Sequence, residues 1–166
     1  MNLILPPERD GTIDAHCILP SQEAHGSLWQ GSRPPQGDTL ASLGYDLVVL
    51  CAIDYQPPAR KFIGVDVWHI PFEDDFHSHM PRPVLKSVFH AADKVRAHLL
   101  RGDKVLVTCW AGINRSGLVS AVSLHKLLGM SGSDAAHLIK FKRPGALSNP
   151  LFNQMLGQLP EKTLPR

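Results

Sequence analysis

Between positions 105 and 117 the sequence reads Val-Leu-Val-Thr-Cys-Trp-Ala-Gly-Ile-Asn-Arg-Ser-Gly. A thiol, Cys109, and a guanidinium, Arg115, stand here with five residues between them, and a hydroxyl, Ser116, follows directly. The β-branched and apolar run Val105 to Val107 reads as a buried strand, and the spacing of Leu118, Val119, Ala121, Val122 and Leu124 reads as a helix opening at Arg115. A cysteine therefore ends a strand and an arginine begins a helix. A loop so placed can turn successive backbone N–H groups toward one point, where the positive end of the helix dipole adds to them. Such an anion site favours a thiolate over a thiol, which makes a nucleophile. An arginine at its rim offers a planar fork that matches two phosphate oxygens.

Strand, cysteine, Gly112 in mid-loop, Arg115, Ser116-Gly117 and an apolar helix resemble the signature of the cysteine-dependent protein tyrosine phosphatase superfamily, Cys-x5-Arg followed by Ser or Thr. The chain looks most like the small dual-specificity branch. The resemblance implies attack of Cys109 on phosphorus, a phosphocysteine intermediate, and its hydrolysis by water. Trp110, Ala111, Gly112, Ile113, Asn114 and Arg115 would turn backbone N–H groups to the phosphoryl oxygens, where they count most as charge collects in the transition state. Ser116 would hydrogen-bond the sulfur, and Gly112 would let backbone approach the ligand. No cofactor and no metal is implied. In one departure, the family's usual His before the cysteine is Thr108 here. It supplies a hydroxyl but no positive charge.

The leaving oxygen needs a proton from a carboxylic acid on a nearby loop. Ile70-Pro71-Phe72-Glu73-Asp74-Asp75 resembles the family's approach to this acid. Asp74 is the expected donor, Asp75 its near alternative and Glu73 a weaker one. His77 and His79 flank this segment as exposed loop histidines or as part of a pocket mouth. Arg33, Arg82 and Arg143 would attract an acidic substrate or stand solvated. Cys51 ends a strand expected beside that of Cys109, so it is either a core residue or a redox partner that pairs with the nucleophile on oxidation.

The elements needed to hold these groups are legible along the chain. Residues 1–26 read as a loop-rich leader packed on the domain, with at most a short strand. His16-Cys17 in that leader has no second pair with which to bind a metal. Ser27 to Ser32 reads as a strand, and "Leu-Trp-Gln-Gly-Ser" with the later "Leu-Gly-Tyr-Asp" resembles the opening of the dual-specificity phosphatases. Asp38 would cap a short helix over Leu40 to Leu43, and the apolar run Leu47 to Cys51 suits a strand buried on both faces. A loop over 54–60, a strand over Val65 to Ile70 and a helix from Pro83 to Arg101 stopped by Gly102 follow. Beyond the helix Arg115 to Leu128, Ser131 or Ser133 would cap one running through Phe141. Asn149-Pro150 would start the last, over Leu151 to Leu159. The fold class is α/β: a single domain with a central, mostly parallel sheet flanked by helices, and the Cys-x5-Arg loop at the carboxyl end of a strand. The catalytic domain would run over 27–159 and a loose tail over 160–166.

A chain of 166 residues is one ordinary domain, and 43% hydrophobic with 19% charged residues is the balance of a globular protein. A net charge of +2 gives no basic surface for nucleic acid. Three cysteines form neither a disulfide framework nor a metal pattern. A thiolate nucleophile fits a reducing cytoplasm, and no apolar run is long enough to span a bilayer. The expected partner is a phosphoprotein or another phosphomonoester, with no nucleic acid, no membrane, and a monomeric state. Two other readings stay open. One is a catalytically weak phosphoprotein-binding pseudophosphatase, which Thr108 allows. The other is an RNA 5′-phosphatase, because residues 112–117 also resemble the loop of the related RNA triphosphatases.

Overall fold

The computed structural model describes residues 7–53, 56–76 and 78–162. Two residues of the loop expected over 54–60, the last four of the tail, the first six of the leader and His77 lie outside the described residues. Five strands form one sheet: β1 (Ala15–Leu19), β2 (Ser27–Gly31), β3 (Leu47–Leu50), β4 (Asp66–His69) and β5 (Lys104–Thr108). Their order is β1-β2-β5-β3-β4. Only β1 runs antiparallel, against β2; the pairs β2–β5, β3–β5 and β3–β4 are parallel. The leader thus supplies a full edge strand, with Ala15 opposite Gly31 and Cys17 opposite Trp29.

Alternation along the central strands sorts the core into two layers. Leu47, Val49, Val105 and Val107 face one way, against the helices α2 (Arg82–Leu100), α3 (Arg115–Leu128), α4 (Gly132–Lys142) and α5 (Pro150–Gly157). Val48, Leu50, Leu106 and Trp29 face the other, where Leu40 of the short helix α1 (Thr39–Ser42), Tyr45 and Phe62 cover them. Leu47 to Leu50 are fully buried, as a central strand covered on both faces requires.

The caps follow the sequence at α4 and α5 but not at α1. Ser131 accepts from the Asp134 N–H at 3.1 Å. Asn149 accepts from the Leu151 and Phe152 N–H groups, with Pro150 in the first turn. Asp38 occupies the N-cap position of α1 yet makes no side-chain cap bond. A four-residue helix pinned by the buried Leu40 is held by packing, and the cap is dispensable. Gly102 and Gly129 end α2 and α3 in left-handed conformation, with φ of 88° and 73°. Among the described residues no helix is long and apolar enough to cross a membrane.

Candidate active site

Parallel pairing brings the carboxyl ends of β3 and β5 side by side, with Leu50 opposite Thr108, so Cys51 and Cys109 leave the sheet as neighbours. The 109–114 loop follows, and α3 begins at Arg115. Cys109 is 2% exposed, and its Sγ lies 3.2 Å from Ser116 Oγ, itself fully buried. Arg115 is only 9% exposed. Its Nη1 donates to the Phe72 carbonyl at 3.3 Å, and its buried Nε has no protein partner among the described residues. A buried guanidinium N–H is expensive to leave unmatched, so this donor marks where an acceptor is wanted.

The acid segment meets the loop through amide side chains. Asn114 Nδ2 donates to Asp74 Oδ2 at 3.4 Å. Asn149 Nδ2 donates to Asp74 Oδ1 at 3.0 Å and to its carbonyl at 2.9 Å. Asn114 Oδ1 in turn accepts from the Asn149 N–H and the Ser148 hydroxyl. Asp74 is half-buried, whereas Glu73 and Asp75 are exposed and make no such tie. Asn114 holds the N-cap position of α3 without a cap bond, because its side chain is spent on this bridge.

Beneath the loop lies a group of residues that sequence reasoning did not connect with it. Gln30 Nε2 donates to the Gly112 carbonyl at 3.0 Å. Arg143 donates to that same carbonyl from Nε at 2.7 Å and to the Ala111 carbonyl from Nη2 at 3.1 Å. It is 5% exposed, so the expectation of a solvated or substrate-attracting Arg143 is corrected: a backbone accepting on two carbonyls, with Asp14 beyond, draws the fork inward. The structure adds a second reason for Gly112. At φ 69°, a Cβ there would stand 2.3 Å from the Gly31 carbonyl carbon, so the position is closed to other residues by the neighbouring strand itself. A polar Gln30 beside Leu28 and Trp29 inside a strand was the one available signal for this group; nothing local marks Arg143.

The remaining candidates are dispersed. Thr108 is buried and donates to the Val49 carbonyl at 2.9 Å, so its hydroxyl serves the sheet rather than the sulfur. Cys51 is fully buried, and burial pushes its thiol well up, with nearby Cys109 adding to the effect. Cys17 is buried likewise, its thiol pushed up to about 12 chiefly by loss of solvent. His16 lies within reach of Arg143. Arg33 is exposed, its guanidinium 3.9 Å above the ring of Trp110, which is 41% exposed. That pair lines a cavity of about 580 Å³ with Ser32, Gln36 and Thr39. Arg82 and His79 are exposed, the latter sharing a hydrogen bond with Ser78. Among the described residues no three His, Cys, Asp or Glu side chains gather as a metal site.

The chain is similar to known proteins in sequence and in fold. The family model of the dual specificity phosphatase catalytic domain matches residues 28–162. The chain belongs to this family. Dual specificity protein phosphatase 8 of Mus musculus is 36% identical over 92 residues, 55% of this chain. The match takes in only 13% of that relative, which is a far longer protein. The crystal structure of Tk-PTP in the active form superposes with a TM-score of 0.65 at 26% identity, covering 85% of this chain and 95% of that one. Human DUSP28 shares the fold, with a TM-score of 0.66 at 24% identity over 92% of this chain and 94% of its own. In this dual-specificity phosphatase domain the matched residues take in the Cys109 loop, Asp74 and Arg143, but begin after β1.

Proposed function

We propose that the protein hydrolyses phosphate monoesters through a phosphocysteine intermediate, acting on phosphotyrosine, phosphoserine or phosphothreonine in proteins. Family membership supports this reading. The observation that carries it is the buried Cys109 sulfur beside Ser116 at a helix N-terminus, with Arg115 Nε unmatched in the same site. Cys109 Sγ attacks phosphorus, the S–P bond forms and the P–O bond to the leaving group breaks. Asp74 gives that oxygen its proton. Water then attacks phosphorus, Asp74 takes the water's proton, and the S–P bond breaks while the Ser116 hydroxyl stabilises the departing sulfur. The backbone N–H groups of Trp110, Ala111, Gly112, Ile113, Asn114 and Arg115, with the Arg115 fork, hold the equatorial oxygens. The ties from Asn114 and Asn149 support Asp74 over the exposed Asp75 as the acid.

Cys51 follows β3 beside Cys109, and we propose it as a redox partner of the nucleophile, the other reading being a buried core thiol. Peroxide oxidises the Cys109 sulfur to a sulfenic acid. Attack by the Cys51 sulfur then forms a disulfide and releases water. Peptide mass mapping after mild peroxide reads this directly, and overoxidised Cys109 with free Cys51 would exclude it. On the same reading the domain works as a monomer in the cytoplasm, on phosphoprotein rather than nucleic acid. A weakly catalytic phosphoprotein reader is the second reading, supported by Thr108, whose hydroxyl is turned to Val49.

The deciding experiment is phenol release from an aryl phosphate without added metal, comparing wild type with Cys109→Ser. Turnover lost in the variant is the expected result. Phosphopeptide bound by wild type without release of phosphate would replace hydrolysis with the reader.

A further inference from the structure

We propose that Arg143, anchored by Asp14 on the N-terminal edge segment, is a positioning residue that sets the direction of the Gly112 and Ile113 amides in the phosphate loop. This rests on the reading of that loop as an oxyanion site. A trans peptide is a rigid plane whose C=O and N–H point opposite ways. The Ala111 carbonyl shares its plane with the Gly112 N–H, and the Gly112 carbonyl with the Ile113 N–H. Arg143 Nη2 and Nε hold these two carbonyls at 3.1 and 2.7 Å from below. Both N–H groups therefore face the other side of the loop. At Gly112, where φ is 69° and no side chain limits rotation, nothing intrinsic to the residue would otherwise choose that orientation.

The clamp is itself held. Asp14 receives Arg143 end-on, Oδ1 accepting from Nη1 at 3.2 Å and Oδ2 from Nη2 at 3.0 Å. His16 Nδ1 lies 2.9 Å from Nη1 and accepts there as a neutral ring. Burial, and after it the guanidinium charge, holds the His16 pKa down. All three nitrogens of the fork are thereby engaged, on two carbonyls, one carboxylate and one imidazole. Lysine, a point charge, cannot reproduce such a planar arrangement. Asp14 also offsets a guanidinium that would otherwise stand buried and uncompensated. Asp14 and His16 precede residue 28, where the family match begins, so the anchor comes from this chain's own leader.

The test uses the full chain with Arg143→Met, Arg143→Lys, Asp14→Ala and Asp14→Asn. Its readouts are kcat and KM on an aryl phosphate, and the Kd for inorganic tungstate per folded molecule. Losing the aim of two amides should lower kcat and weaken tungstate by about tenfold to a hundredfold in Arg143→Met, with little rescue by Lys. Asp14→Ala should act in the same direction by a smaller factor. Asp14→Asn should recover part of it, because its side-chain oxygen still accepts from Arg143. Folded Arg143→Met and Asp14→Ala proteins with wild-type kcat, KM and tungstate affinity would overturn the proposal. If Arg143→Met does not fold, the two Asp14 variants decide alone. Wild type that binds tungstate without turnover defeats hydrolysis but leaves the affinity ratios to judge the anchor. Wild type that binds no tungstate defeats both.

Discussion

One loop is gripped by two polar groups of opposite character. Above it, Asn114 and Asn149 bridge to the half-buried Asp74 with neutral amides, and one contact is as long as 3.4 Å. Below it, the buried Arg143 fork holds two carbonyls and a carboxylate, with its tightest bond at 2.7 Å. On the mechanism proposed above, the upper group ends in a carboxyl that exchanges a proton with a leaving oxygen, so weak, replaceable contacts would suit it. The lower group has no part in proton transfer and serves only if it stays still. Charge-assisted bonds at low exposure do that, because breaking one partner leaves a buried ion unmatched. Neutral amide contacts and charge-assisted ones thus meet at a loop only six residues long, 109–114.

The sharpest way to break this contrast is at the upper carboxyl. Asp74→Asn should lower kcat by about 10²- to 10⁴-fold, the usual worth of a positioned acid, and more for alkyl than aryl phosphates. Asp75→Asn should stay close to wild type, and a reversed order of the two would move the acid role to Asp75. Gly112→Ala strikes the lower side. A left-handed non-glycine residue costs roughly 1–2 kcal/mol before any clash, and here the added carbon meets backbone at 2.3 Å. A clear fall in the unfolding midpoint together with lost tungstate binding is expected; an unchanged melt would mean that Gly31 and Gly112 separate easily.

Asn149→Ala tests the upper group alone. Loss of its cap on α5 should cost about 1 kcal/mol by denaturant unfolding, and the freed Asp74 should lower kcat without a change in tungstate affinity. Equal losses in both would show that the two sides of the loop are not separable.

The smallest expected effect is the acid response of the lower group. The hydrogen bond from Arg143 holds the Asp14 carboxyl below its ordinary 3.8. Because the folded value is the lower one, its contribution is complete above pH 3.8 and fades as pH falls through the folded value. With 44% of this side chain exposed, screening limits that contribution to no more than about 1 kcal/mol. Asp14→Asn should therefore flatten the loss of stability below pH 3.8 relative to wild type, and an unaltered acid limb would remove Asp14 from the balance.

Much of this molecule is written in local patterns. The apolar run at Leu47 to Leu50, the helical stripe of α2 and the spacing after Arg115 each state a period that burial then obeys. Asn149-Pro150 and Ser131 state helix starts by the same local rule. Cys109, Arg115 and Ser116 stand close because a strand, a short loop and a helix turn bring near neighbours in sequence to one point. The parallel register of β3 and β5, with Leu50 opposite Thr108, then makes Cys51 and Cys109 neighbours.

The chain by itself therefore determined most of its elements (the edge strand β1 in the leader being the exception), its α/β layering and the thiol, guanidinium and hydroxyl of the candidate site, since all of these depend on residues a few places apart. Tertiary structure alone decided how the loop is aimed. Gln30 and Gly112, Asp14 and Arg143, and Asp74 and Asn149 meet only after the sheet has closed and α4 and α5 have packed beside it. Hydrogen bonds of this kind leave no period in a sequence: they join single residues across long separations, and an Arg before a Pro reads simply as the end of a helix. The same separation explains why Asp38, correctly placed as a cap, makes no cap bond. The burial of Leu40 had already fixed that turn, and packing outweighs a local preference worth about 1 kcal/mol.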